Sequence, residues 1–130
     1  MVFEFSLKTT KANEFINITG KVKEAVMESK VNSGICVIFV PHTTAGVTIN
    51  ENADPDVVKD MLMELSKIVP EDKEYRHFEG NSSAHIKASL MGSSQTVIIE
   101  NGELKVGTWQ GIYFTEFDGP RTRKFFVKVI

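Results

Sequence analysis

The sequence predicts an α+β fold over residues 1–130, with mixed and antiparallel β-sheets in a sandwich-like core and about three helices. Three observations carry this. Strand-length apolar or alternating runs are numerous and short. Two stretches repeat apolar residues at helical spacing, and a third, shorter one lies between a serine cap and a glycine stop. The C-terminal half is punctuated by Asn101-Gly102 and Asp118-Gly119-Pro120-Arg121, turn signals that join strands. A chain of 130 residues fits one domain and buries roughly 65–70% of its unfolded surface.

Val2–Lys8 alternates, with Phe3, Phe5 and Leu7 on one face and Glu4, Ser6 and Lys8 on the other. The polar run Thr9–Asn13 turns it back into a short strand near Glu14–Ile18. Thr19 is the expected N-cap of a helix to about Lys30, with Val22, Ala25 and Val26 inward. Asn32-Ser33-Gly34 ends that helix. Ile35–Val40 is a continuous apolar strand, which expects cover on both faces. Pro41–Asp56 (PHTTAGVTINENADPD) then reads as one wall of a ligand pocket between that strand and the next helix. Asp54-Pro55 starts the helix, an Asp cap with proline at the first helical position. Val57, Val58, Met61, Leu62, Leu65 and Ile68 form its expected buried stripe, and Pro70 stops it. Glu71–Gly80 is a polar connection, and Asn81–Leu90 a short helix capped by Ser82 or Ser83 and ended by Gly92. Gln95–Glu100 and Glu103–Val106 form a hairpin; Gly111–Phe117 and Lys124–Ile130 are the last strands.

A net charge of −2 gives no electrostatic footprint for nucleic acid. The single cysteine, Cys36, lies inside ICVIFV and is expected to be a buried, inert thiol, so no disulfide and no cysteine zinc motif are available. MVFEFSLKTT carries neither a leader pattern nor a spanning apolar run. The expectation is a cytoplasmic protein with no membrane or nucleic-acid partner.

His42, His77 and His85 fall in loops or at helix starts, thirty-five and eight residues apart. Three convergent imidazoles suit zinc or a similar transition metal, although this spacing matches no compact motif such as HExxH. Glu51, Glu79 and Asp118 are candidate acid or base groups beside them. Glu51, Asp54 and Asp56 are the alternative, all-oxygen set for Mg²⁺. Asp54 and Asp56 have a second role at the helix start, whereas Asn50 and Glu51 have no evident structural one. Thr43-Thr44-Ala45-Gly46 and Gly80-Asn81-Ser82-Ser83 place hydroxyl and small residues at turns, a pattern suited to an anion. Lys87 and Arg121 are the candidate phosphate cations. Trp109 and Gln110, between Gly107 and Gly111, suit a planar heteroaromatic ligand.

HTTAGVTINENADPDV, HFEGNSSAHIKASLMGSS and ENGELKVGTWQGIYFTEFDGPR, in that order, resemble the signature blocks of the YjbQ family, or UPF0047, sometimes labelled secondary thiamine-phosphate synthase. The resemblance runs over nearly the whole chain. It implies a YjbQ-like single-domain fold that assembles as a homotrimer, with polar pockets close to subunit contacts. It marks His42, Thr43, Thr44, Asn50, Glu51, Asp54 and Asp56 in the first block, and His77, Glu79, Asn81, His85 and Lys87 in the second. Trp109, Gln110, Glu116, Asp118 and Arg121 follow in the third. Some members carry Asp at the place of Ser83 and Cys at that of Thr115.

The family label implies joining a hydroxymethylpyrimidine pyrophosphate to a thiazole phosphate with release of pyrophosphate. In that casting Asp54, Asp56 or Glu51 holds a divalent metal ion, and Arg121, Lys87, Thr43 and Thr44 hold phosphate. Trp109 and Gln110 hold the ring. A second expectation is a hydrolase whose three histidines bind a transition metal and whose base is Glu79 or Glu51. A third is a non-catalytic binder of a small phosphorylated metabolite.

Overall fold

The computed structural model describes every residue from Met1 to Ile130. In chain order the elements are β1 (Val2–Lys8), β2 (Glu14–Asn17), α1 (Thr19–Ser29), β3 (Gly34–Phe39), β4 (Ala45–Glu51) and α2 (Pro55–Ile68). There follow α3 (Ser82–Met91), β5 (Ser94–Glu100), β6 (Glu103–Leu104), β7 (Gln110–Glu116) and β8 (Thr122–Val129). They build a five-stranded sheet in the order β1-β8-β3-β5-β6 and a three-stranded sheet in the order β2-β7-β4. Every ladder is antiparallel. The fold is the expected α+β class, with three helices.

Period-two alternation decides what each strand buries. In β8, Arg123, Phe125, Val127 and Val129 turn inward; in β3, Cys36 and Ile38 do so. These meet Ile112 and Phe114 of β7, Val47 of β4 and Val22, Ala25 and Val26 of α1 in one core. The opposite face of the three-stranded sheet is covered by α3, where Ala84 and Ala88 pack on Phe117.

The structure departs from the sequence reading at five places. Pro41–Asp56 is not one pocket wall, because Ala45–Glu51 inside it is a full strand paired with β7 along its length. Thr19 is the first residue of α1 rather than its cap. Its N–H and hydroxyl both go to Asn17 Oδ1, at 3.0 and 2.6 Å, while its hydroxyl oxygen accepts the Ile112 N–H at 2.8 Å. Neither Ser82 nor Ser83 caps α3: Asn81 occupies the cap position without a side-chain bond, and Ser83 donates its hydroxyl to Glu71. β3 is covered on one face only, leaving Ile35 and Phe39 exposed on the other. The stripe of α2 is at best half-buried. Leu65 reaches the Phe117 cluster, and Val58 and Leu62 border an open groove with Phe15 and Tyr113, but Ile68 is exposed.

Candidate functional site

The β4–β7 ladder runs from Ala45 opposite Glu116 to Glu51 opposite Gln110, six residue steps or roughly 20 Å at about 3.3 Å each. The candidate residues divide between its two ends. His42, Thr43, Thr44, Glu116, Asp118 and Arg121 lie at the first end, near α3, which follows Asn81 and carries His85 and Lys87 on opposite flanks. Asn50, Glu51, Asp54, Asp56, Trp109 and Gln110 lie at the second. One protomer therefore does not bring the phosphate, ring and carboxylate candidates into one pocket.

At the first end, His42 leaves β3 half-buried, its ring edge-on to Phe114 at 6.4 Å. Its Nε2 lies 3.1 Å from both the N–H and the carbonyl oxygen of Lys124. Main chain on β8 thus fixes the ring. His42 and His85 border one cavity of about 470 Å³, together with Thr43, Ser89 and Ser93. On its other side His85 meets His77, with ring centroids 5.5 Å apart and planes at 86°. That side opens into a second cavity of about 460 Å³. His77 in turn stands 4.0 Å from the exposed Glu79.

The remaining candidates at this end are bound up with the fold. Asp118 accepts from Asn81 Nδ2 and from Arg121, both at 2.9 Å, so Arg121 is paired. Lys87 is buried, donating to Asn13 at 3.1 Å, and borders neither histidine cavity. At the second end, Glu51 Oε2 accepts the N–H groups of Ala53 and Asp54, and Asp54 Oδ1 caps Asp56. Asn50 accepts the Glu51 N–H at 2.7 Å, Gln110 accepts that of Gly107 at 2.9 Å, and Asp56 faces Lys59 at 3.8 Å. Asn50 and Glu51 thus have structural roles that the sequence did not suggest. Trp109 is 62% exposed and anchors nothing.

The family model described as "UPF0047 protein YjbQ-like" matches residues 3–130. The chain belongs to this family. A UPF0047 protein of Methanocaldococcus jannaschii is 56% identical over 100% of this chain and 94% of its own. YugU of Bacillus subtilis, another UPF0047 protein, is 54% identical over 100% and 99%. Among solved structures, an uncharacterised YjbQ/UPF0047 protein of Clostridium acetobutylicum superposes with a TM-score of 0.97. It is 67% identical over 98% of this chain and 99% of that one.

What sets the electrostatics of this UPF0047 chain is a residue the sequence reading passed over. Arg123 is buried and forks onto Glu116, with Nε 2.8 Å from Oε1 and a second nitrogen on Oε2. The same nitrogen donates to the Thr44 hydroxyl at 2.8 Å, and Thr9 donates to Glu116 at 2.8 Å. Burial pushes the Glu116 carboxyl up, but Arg123, the Asp118 N–H and Thr9 outweigh it and hold it below the ordinary 4.5. Burial first, then the Arg123 charge, hold His42 below the ordinary 6.5 against the Lys124 and Glu116 contacts, so its imidazole is neutral at pH 7. Parity could have found Arg123: it shares the inward register of Phe125, Val127 and Val129. Cys36 is the inert thiol expected, fully buried and pushed up to about 11.

No three His, Cys, Asp or Glu side chains gather closely enough to hold a metal ion. His77 and His85 touch, and His42 lies across the first cavity from His85. The oxygen set Glu51, Asp54 and Asp56 is spent on backbone N–H groups and Lys59. No helix is long and apolar enough to cross a membrane.

Proposed function

We propose that this UPF0047 chain is an enzyme acting on a small phosphorylated metabolite at the His42–His85 cavity. Its reaction is thiamine-phosphate synthase-like transfer, the activity that the family resemblance implies. The observation that supports this is the shared cavity itself: a neutral imidazole fixed by main chain, a second imidazole facing it, and hydroxyl residues between them. In the transfer, the thiazole nitrogen bonds to the pyrimidine methylene carbon as its C–O bond to pyrophosphate breaks. The electron pair departs with pyrophosphate. His42, Thr43, His85, Ser89 and Ser93 are the hydrogen-bonding residues beside which the leaving oxygens develop charge. A divalent ion would add charge neutralisation there.

The test is thiamine-phosphate formation from the two precursors with Mg²⁺, followed by chromatography. Wild type forms product, and His42→Ala and His85→Ala each lower the rate about 100-fold or more. Product formation by wild type with His85→Ala unimpaired would remove the cavity from the mechanism.

The His77–His85 contact supports a second reading, a transition-metal-dependent hydrolase in which those two imidazoles are nitrogen donors and His42 joins them only if the loops close up. Elemental analysis of protein purified without chelators separates the two, since a stoichiometric transition metal favours hydrolysis. Neither metal nor product leaves a binder of phosphorylated metabolites.

The proposal includes self-association as a homotrimer in the cytoplasm. Ile35, Phe39 and Ile98 stand exposed together on the outer face of the five-stranded sheet, a face that a second copy would cover. Sedimentation equilibrium gives the answer, and a monomer at micromolar concentration would discard this part.

A further inference from the structure

Both cations the sequence offered for phosphate are engaged elsewhere, Arg121 with Asp118 and Lys87 with Asn13 beneath α3. A third arginine stands differently. Arg76 has no carboxylate partner and borders the second cavity, of about 460 Å³, with Tyr75, His77, Ser82, His85 and Ile86. Five of these six side chains carry N–H or O–H groups, and none is a carboxylate. Of the acids in the same connection, Glu71 accepts the Ser83 hydroxyl and Glu79 stands 4.0 Å from His77. His85 belongs to both cavities, so the two form neighbouring compartments divided by one imidazole.

We infer that the Arg76–His77–Ser82–His85 cavity is an anion subsite that takes the terminal phosphate of a soluble substrate whose reacting end lies beside His42. This rests on the proposed placement of the chemistry at the His42–His85 cavity and deepens it. A guanidinium presents paired donors to phosphate oxygens, which a lysine does not. The imidazoles and the Ser82 hydroxyl supply further donors along the same lining. The subsite also assigns His85 two duties, one toward each end of the same molecule. It gives the chain a cation for phosphate where the residues first expected to supply one are engaged.

The experiment uses the full chain and inorganic pyrophosphate as the probe, with binding read from the histidine ring resonances by NMR and from calorimetry. Saturable shifts of the His77 and His85 rings are expected. Arg76→Gln weakens binding about ten- to hundredfold, as loss of a charge-assisted pair does. Arg76→Lys recovers only part of it. Arg76 is exposed and unpaired, so its variants keep the fold, which amide spectra verify. Undiminished affinity in Arg76→Gln, or shifts confined to other residues, overturns the subsite. A second arm offers vesicles containing phosphatidic acid. Arg76-dependent sedimentation with them, in place of pyrophosphate binding, overturns the soluble-substrate assignment. Because no turnover is measured, a chain that binds pyrophosphate through Arg76 yet makes no thiamine phosphate keeps this subsite and loses only the reaction.

Discussion

The two ends of the β4–β7 ladder carry similar residue types and treat them in opposite ways. At the Ala45–Glu116 end Glu116 and Arg123 are buried and tied across the chain, from Thr9 through the pair to Thr44. At the Glu51–Gln110 end Asn50, Glu51 and Gln110 bond to backbone one to three residues away. The cross-chain network ties β7 and β8 to the turn that follows His42; local turn bonds order only their own loop. The difference shows that a polar residue's worth as a site candidate lies in how far along the chain its partners come from.

Removing Arg123 is the strongest way to break this contrast. Arg123→Met leaves Glu116 buried and unpaired and is expected to cost about 3–5 kcal/mol in urea unfolding at pH 7. The wild-type Glu116 pKa lies below its ordinary value, so its contribution is full above about pH 4.5 and is lost as pH falls through the folded pKa. Without Arg123, burial is opposed only by the Asp118 N–H and Thr9, so the Glu116 pKa rises relative to wild type and the variant's deficit should shrink as pH falls. A deficit that stays constant between pH 7 and pH 4 would deny the pair its role. The glycines sharpen the same comparison. A Cβ at Gly46 would lie 2.6 Å from the Gly92 carbonyl oxygen, a backbone obstacle under α3, whereas at Gly107 it meets only the Gln110 side chain, no nearer than 3.3 Å. Gly46→Ala should cost about 1–3 kcal/mol and Gly107→Ala less; equal costs would mean that the two ends are equally yielding. Asp54→Ala removes the one side-chain cap of α2 and should cost about 1 kcal/mol, read as a lower unfolding midpoint. Trp109→Ala should change stability by no more than about 0.5 kcal/mol. A large loss of activity in that variant would move the chemistry to the exposed end.

Most of the scaffold was legible because strands and helices announce themselves through period and punctuation. Phe3, Phe5 and Leu7 alternate as they are buried, and Asp54-Pro55 starts α2 as read. β4 escaped because its outward positions carry Thr48 and Asn50, which read as loop chemistry beside the hydroxyl-rich turn before it. Covered status was misjudged for β3 and α2, since a run of apolar residues does not say whether its second face meets this chain or another. At the site, His42 and His85 were identified by residue type, and their convergence follows from α3 crossing β4 at Gly46. Arg123 was overlooked because attention went to charges in turns, and Arg76 because EDKEYRHFEG reads as a solvated connection.

The grip on His42 has one further consequence. What steadies the imidazole is the peptide group of residue 124, which every amino acid except proline supplies in full. The side chain at 124 can therefore drift without disturbing the ring, and scanning that strand with alanine would leave the anchor invisible. Proline, or an ester in place of the amide, would remove the N–H and leave the ring only the carbonyl and the Phe114 edge.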